Sequence, residues 1–544
     1  MSAEYDKSTV VDKSNGVVTI EEPGSEDSSL YASQRHVFED PHVAEYYREV
    51  YEKCQYECRH LFDPKFEWTK AEEKSVVRKT EFKATLWALI MFIALDVDRF
   101  NIQQATSDDM LTDLGLTTND FNLGNTLNLV CFLMAELPSQ LISKKLGPDR
   151  WIPAQLVLWS LVSLCQCKMS GRSSFLATRA LIGLLQGGFI PDIILWLSYF
   201  YTRKEFTLRI GIFYLANPGT SIIASLMGYG ILHMQGINGW EGWRWLFLIE
   251  GLVTLVVGLV SFFMMPPSVV QTKTWFRPNG WYTEREEKIM VNRILRDEPA
   301  KGDMNNRQAV SFKGLINAIL DYNLWPMYVI RILTDIGTHP VTTYLSLTLR
   351  KMGISVLNTN LLHIPYNVMK MISMIVIALA AEKFNNHMAV FATMPIWIIP
   401  CFAALRWWPG ALKDVWGTYA LLTVMLSHSG FAPLTSAWIS GNSNSVQSRA
   451  VTSAILNMFS QSGGIIAANI YRADDAPYYH RGNETLFGIA IAALAAIGFA
   501  KFYYVTVNKR RENRWNAMTP EQRIHYIKTT KDTGSSRLDF RYTH

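Results

Sequence analysis

Apolar residues in this chain recur in blocks of roughly 20, the length a helix needs to cross a hydrocarbon core of about 30 Å. The blocks run at about 86–102, 123–142, 152–167, 175–201, 210–233 and 243–265, and again at 324–349, 361–381, 388–405, 416–439, 450–470 and 486–504. Lipid offers no partner to an open backbone group, so blocks of this kind can cross only as helices that satisfy themselves. Pro266-Pro267 ends the sixth block, and a polar connection of roughly 55 residues separates it from the seventh. The expected fold is an all-α membrane protein with twelve transmembrane helices in two six-helix halves.

The implied segments are a tail at 1–83 with short interfacial helices, a first bundle at 84–265, a linker at 266–322, a second bundle at 323–505 and a tail at 506–544. The run Glu21-Glu-Pro-Gly-Ser-Glu-Asp-Ser-Ser29 is too polar to build a core and reads as disordered. Val43, Tyr47, Val50, Tyr51 and Cys54 then recur at helical spacing, and Thr69-Lys-Ala-Glu72 is a capping box opening a basic helix. Thr283-Glu-Arg-Glu286 is a second capping box, which predicts a charged helix ending near Asp297.

Residues 1–29 lack the apolar core of a signal peptide, so the first span is expected to serve as the targeting signal. Lysine and arginine flank alternate span ends, at Lys144, Lys145 and Arg150, at Arg203, Lys204 and Arg209, at Lys383, and at Lys509, Arg510, Arg511 and Arg514. Those ends are expected to be cytoplasmic, together with both termini and the linker. Asp108, Asp109 and Asp113 fall on the outer side, as do Arg350 and Lys351 against the trend. The sequon Asn483-Glu-Thr485 also falls there. The six cysteines show no extracellular framework and read as buried thiols. The net charge of +5 is small and sits beside the spans, which argues against nucleic acid as a partner.

Charges inside the blocks carry the functional signal, because a carboxylate or guanidinium at a helix centre lies roughly 2.5 to 3.5 kcal/mol uphill. Asp96, Asp98 and Arg99 stand in the first block. A rise of about 1.5 Å per residue puts Asp98 and Arg99 level with Arg179 of the fourth block, so Asp98 and Arg179 are expected to face each other. Gln186 follows Arg179 by two turns on the same face, whereas Asp192 points elsewhere and is expected to pair with another helix. Arg331, Asp335 and His339 form one stripe of the seventh span, in which an internal salt bridge would let both charges be buried. Tyr366, Asn367 and Lys370 of the eighth span lie at similar depth, with Lys370 also able to snorkel. Asn457, Gln461 and His428 are further polar candidates, or bond neighbouring helices.

Two six-helix halves around a polar interior suit alternating access. The wealth of Arg and Lys favours an anionic substrate, held by paired charge-assisted hydrogen bonds. A nutrient sensor that signals through its tails is a rival class. A membrane-embedded enzyme would need a catalytic cluster at the interface, and none is present; no cofactor or metal is implied.

Several stretches resemble the fungal allantoate-permease branch of the major facilitator superfamily, also called the anion:cation symporter family. They are Phe66-Glu-Trp-Thr69 with Glu72-Glu73, Asp98-Arg99-Phe-Asn-Ile102, Leu137-Pro-Ser139 with Lys144-Lys145 and Gly147-Pro-Asp-Arg-Trp151, Arg179-Ala-Leu-Ile-Gly183, Gly242-Trp-Arg-Trp-Leu-Phe-Leu-Ile-Glu-Gly251 and Asp475-Ala-Pro-Tyr478. The resemblance implies the major facilitator fold and uptake of a small organic anion with protons across the plasma membrane, by a monomer. Phe189-Ile-Pro-Asp192, Glu286-Glu-Lys-Ile-Met-Val-Asn-Arg-Ile-Leu-Arg-Asp297 and Lys301-Gly-Asp-Met304 are most similar to a yeast transporter of sulfonates and inorganic sulfur anions. Sulfonate or sulfate is therefore the favoured class, with allantoate, nicotinate, pantothenate and a dipeptide left open.

On this reading Arg99, Arg179 and Gln186 bind the anion from the first half, and Arg331, Lys370, Tyr366, Asn367 and Gln461 complete the site from the second. Lys144, Lys145, Asp149 and Arg150 form a cytoplasmic gate. Related carriers have a glutamate where this chain has Gln186, and an amide cannot carry a proton near neutral pH. Asp98 is then the expected proton carrier, with Asp96, Asp335 and His339 as alternatives. Ala381-Glu-Lys383 replaces the family's Ser-Asp-Arg after the eighth span.

Overall fold

A computed structural model describes residues 37–39, 41–53, 56–297, 299–302, 320–384, 386–431, 434–435, 438–439, 442, 446–476, 478–519, 522, 525–526, 538 and 540–542. The acidic run at 21–29, Cys54, Asp303 and Met304 lie outside the described residues. Within them the elements are helical, apart from one isolated bridge between Thr274 and Arg277.

The first half comprises Leu86–Ala105, Thr118–Leu146, Pro148–Cys165, a fourth span in two pieces at Arg172–Gln186 and Phe189–Ser198, Arg203–Leu232, and Gly242–Met264. The second comprises Trp325–Lys351, an eighth span at Val356–Leu361 and His363–Phe384, His387–Trp407, a tenth whose continuous part is Val415–Leu426, Val446–Ala468, and His480–Asn516. Six of these helices are long and apolar enough to cross a membrane by length and composition alone. Among the described residues the first, third, fifth, seventh, tenth and eleventh fall short by that measure. Phe262, Ile396 and Phe499 keep 46 to 61% exposure on the outer surface of the bundle. Apolar surface of this extent suits lipid rather than water.

The fourth span breaks where a straight helix would collide with the second. A Cβ on Gly187 would meet the Ala135 Cβ and the Phe132 carbonyl oxygen at 2.7 Å, and one on Gly188 would meet Ser139 at 2.5 Å. Gly188 also takes φ +84, which suits glycine. Trp151 Nε1 and Gln155 Nε2 both donate to Ser139 Oγ, at 2.9 and 3.0 Å, and Gln155 donates to the Gly187 carbonyl at 3.0 Å. These bonds lock the second, third and fourth spans together around the break.

Both capping boxes form, Thr69 with Glu72 and Thr283 with Glu286. Their helices, Lys70–Thr80 and Glu284–Asp297, do not rest singly at an interface. With Pro41–Lys53 they build one layer on the side that carries the linker and both tails, here called the tail side. Tyr51 is buried and donates to the Pro299 carbonyl at 2.7 Å, so the apolar stripe expected to lie along the membrane is covered by protein. Lys79 bonds Glu286 at 2.6 Å, Arg285 bonds Glu72 at 2.7 Å, and Lys288 bonds Asp63 at 2.7 Å. The Lys288 ammonium holds the Asp63 carboxyl below the usual carboxylate range. Arg293, 3% exposed, grips Glu205 with two 3.0 Å bonds and donates to the Phe200 carbonyl, fastening the layer to the turn after the fourth span.

On the opposite, far side the two halves meet. Asn122 donates to the Tyr471 carbonyl at 2.6 Å and accepts from Tyr344, Asn469 reaches Thr126 at 2.8 Å, Asn360 reaches Ser107 at 3.3 Å, and Arg350 bonds Asp109 at 3.2 Å.

One sequence expectation is corrected here, and the sequon gains a structural reading. Cys58, Cys167 and Cys401 are buried, but Cys165 is exposed and Cys131 partly so, because a lipid-facing helix surface tolerates a thiol as it does a leucine. Asn483 of the sequon is 2% exposed, accepts from the Tyr471 hydroxyl at 2.6 Å and donates to the Tyr478 carbonyl, which leaves its amide no room for a glycan.

Candidate functional site between the two halves

The site begins on one face of the first span. Asp96 and Arg99 are three residues apart and so share a face, with charged atoms 3.9 Å apart. Asp96 accepts from Asn217 of the fifth span at 2.7 Å. Lys370 of the eighth span acts on it electrostatically from the other half without closing to an ion pair. Arg99 donates weakly to Gln186 Oε1 at 3.4 Å, lies 5.5 Å over the Phe132 ring, and keeps a third of its side-chain surface exposed, 33%. A guanidinium this deep yet this accessible borders open space inside the molecule.

Arg179 is 7% exposed, and Asn125 accepts from it at 3.2 Å. No carboxylate among the described residues lies within 4.0 Å of it, and its Nε has no partner there. Gln186, 3% exposed, likewise leaves its Nε2 without a partner among the described residues. Arg99, Gln186 and Arg179 thus present donors in excess of acceptors.

Asp98 does not face Arg179. Consecutive helical residues point about 100° apart, so Asp98 and Arg99 cannot both look toward the fourth span. Asp98 turns to the third span, accepting from Trp159 Nε1 at 3.0 Å and Ser163 Oγ at 3.1 Å, and is 2% exposed. Glu250 of the sixth span is fully buried close by, and neither of its carboxyl oxygens has a partner among the described residues.

In the seventh span Arg331 and Asp335 form the internal salt bridge, 2.8 Å long. Thr435 and Ser460 accept from the same guanidinium at 3.1 and 2.9 Å, which leaves little of it for a ligand. His339 is exposed although enclosed at the middle of the span, with Thr343 Oγ1 at 3.5 Å from Nδ1. Tyr366 and Asn367 are buried against the fifth span, where Asn367 donates to Ser221 at 2.9 Å and ties the halves together. Gln461 is half-buried on the eleventh span. His428 bonds Thr393 and the Ser429 carbonyl inside the second half, away from the other candidates.

Asp192 turns to the second span, where Ser139 Oγ donates to it at 3.4 Å. Of the four expected gate residues, Lys145 and Arg150 are exposed, Asp149 sits 4.0 Å from Arg150, and the Lys144 side chain lies outside the described set.

Three polar groups are not marked by the sequence reading: the buried Glu136 and Glu250, and the half-buried Asn217. Glu136, inside the second apolar block, is 1% exposed and accepts from Asn457 of the eleventh span at 2.6 Å. The criterion that singled out Asp96, a charge in the middle of an apolar block, also fits Glu136 and Glu250.

A profile of the Major Facilitator Superfamily matches residues 88–468. An uncharacterized transporter of Saccharomyces cerevisiae is 43% identical over 546 residues, covering 100% of both chains. Among solved structures, the partially occluded inward-open form of the xylose transporter XylE from E. coli superposes with a TM-score of 0.58 at 11% identity, over 76% of this chain and 96% of that one. A bacterial homologue of the human lysosomal transporter Spinster gives 0.53 at 14% identity, over 77% and 95%. At such identities the solved structures speak for the fold alone, while the profile and the full-length relative speak for the family. The chain belongs to the major facilitator superfamily and is a secondary transporter of that kind, not an enzyme.

Proposed function

We propose that this transporter carries a small organic or sulfur-containing anion into the cell together with protons. The carrying observation is Arg179, a buried guanidinium with no carboxylate among the described residues. An uncompensated buried charge costs several kcal/mol. A bound carboxylate or sulfonate recovers that cost through paired charge-assisted hydrogen bonds, and Gln186 Nε2 offers a third donor. The resemblance to the allantoate-permease branch favours a sulfonate or sulfate.

Arg99 completes the site and also supplies the coupling. Asp96 and the incoming anion compete for one guanidinium, so a proton on Asp96 frees Arg99 for the substrate. Lys370, His339 and Gln461 face the same space from the second half. Arg331 belongs to the scaffold of that half through Asp335. The tail side is read as cytoplasmic from its lysines and arginines, and the far-side bonds between the halves make this the form open toward the cytoplasm. Asp109–Arg350 is then an outer gate, and Lys145, Asp149 and Arg150 lie on the inner rim.

Uptake of labelled ethanesulfonate, sulfate, nicotinate and allantoate into plasma-membrane vesicles, at two external pH values, tests the reading. One of these anions is expected to accumulate faster at the acidic pH. Arg179→Ala and Arg179→Lys should both abolish that uptake, because a lysine cannot present two parallel donors. Undiminished uptake by either variant would overturn the site.

A further inference from the structure

Glu136 lies where the fourth span breaks. A Cβ on Gly188 would come within 3.3 Å of its carbonyl oxygen, and Gly187 lies against Phe132 and Ala135 of the same turn. The glutamate therefore sits beside the segment that follows Gln186, the position at which this chain offers only an amide.

Its side chain is 1% exposed. Oε1 accepts from Asn457 Nδ2 at 2.6 Å, and Oε2 has no partner among the described residues. Two charged groups stand on turns adjoining it. Arg99 lies over Phe132 at 5.5 Å, one turn away, and Asp192 reaches Ser139 at 3.4 Å; neither comes within ion-pair distance of Glu136. The third span contributes neutral Gln155, and the eleventh neutral Asn457 and Gln461. Among the described residues, the hydrogen bonds and ion pairs of Asp96, Asp98, Asp192 and Asp335 each stay within one half. The bond of Glu136 joins the two halves.

We propose that Glu136 is a proton-binding site whose occupancy is set by which way the carrier faces. This rests on the proton-coupled reading above and adds a group that no contact with the substrate requires. The step is a simple one: a proton from water adds to a carboxylate oxygen of Glu136 and later returns to water, with no other bond made or broken. With Asn457 in place the amide N–H stabilises the charged carboxylate, so the form open to the tail side favours proton release. When the halves rock apart at this contact the donor is withdrawn, the buried carboxylate is left uncompensated, and protonation is favoured.

The test needs no known substrate. The full-length protein in lipid vesicles is treated with N,N'-dicyclohexylcarbodiimide, which adds to protonated carboxyls in apolar surroundings, and labelling at Glu136 is read by mass spectrometry between about pH 5 and pH 9. Labelling is expected to fall with pH, by about tenfold per unit above its midpoint, as for any single titrating group. Asn457→Leu should move the midpoint to higher pH. An unlabelled Glu136, or labelling flat across the range, would overturn the proposal without touching the anion site. A second arm uses Glu136→Gln in vesicles offered ethanesulfonate, sulfate, nicotinate and allantoate. Exchange of internal for external anion should persist while accumulation driven by a pH gradient disappears. Accumulation that survives in Glu136→Gln also overturns it, and leaves coupling through Asp96 standing.

Discussion

Asp96 and Arg99 share a face of the first span with their charged atoms 3.9 Å apart, and Asn217 holds the carboxylate in place at 2.7 Å. A substrate anion must share Arg99 with this carboxylate. Asp96→Asn keeps the shape and the bond to Asn217 but removes the competitor. Anion affinity near pH 8 is expected to rise on the order of tenfold, about 1.4 kcal/mol, and its dependence on external pH to flatten. Inhibition of labelled uptake by unlabelled anion, measured at two pH values, checks both. An unchanged pH dependence would remove Asp96 from the coupling.

Arg331 and Asp335 make the contrasting pair, joined at 2.8 Å and boxed in by Thr435 and Ser460. Breaking a buried pair by removing one partner leaves an uncompensated charge, at a cost of about 3 to 5 kcal/mol. Arg331→Gln should therefore lower the thermal stability of the purified protein sharply, and Arg331→Gln with Asp335→Asn should recover most of the loss. If the double variant is as unstable as the single one, the pair is not the reason for the burial.

The span pattern was readable because the bilayer fixes both length and composition. Six of the expected span starts, at 86, 243, 324, 361, 388 and 416, fall within two residues of the helix observed, where the pieces begin at Leu86, Gly242, Trp325, His363, His387 and Val415; a seventh, at 175, begins three residues early at Arg172. Arg179 and Gln186 share a face as their spacing of seven predicts. Asp98 was misplaced because depth along a helix was matched without its direction around the helix. The two residues after Gln186 hid the break in the fourth span, since only packing against Phe132, Ala135 and Ser139 shows why both must be glycine. Glu136 and Glu250 are hard to rank from sequence because a lone carboxyl in an apolar block has no neighbour along the chain to show what it faces; the partner of Glu136, Asn457, is 321 positions away. The tail-side layer was invisible for a related reason: its ion pairs join residues more than 200 positions apart.

Arg293 anchors that layer, with 1% of its side chain exposed and Glu205 and Glu73 as its partners. Its loss would strand Glu205 and the Phe200 carbonyl. Arg293→Ala is expected to cost about 3 to 5 kcal/mol, and to loosen Glu284–Asp297 from the first half. Limited proteolysis of the folded protein should then cut within the linker sooner than in the wild type, with the spans still intact. Equal rates of cutting would show that the layer does not depend on this anchor.

Arg350 reaches Asp109 across the far side at 3.2 Å, from the far-side end of the seventh span to the turn that follows the first. Both side chains are solvent-accessible, so the ion pair itself is worth little, about 0 to 1 kcal/mol. Its value is as a position where the halves meet. Alternating access requires these two positions to separate once per cycle. Asp109→Cys with Arg350→Cys, joined by a short bifunctional thiol reagent, should hold the far side shut and stop net uptake, whereas either single variant treated alike should retain it. Release of a reducible cross-link should restore transport. Uptake that continues with the two positions joined would mean that the far side does not open here, and the gate would have to be sought at Asn122 and Tyr471, where the halves also touch.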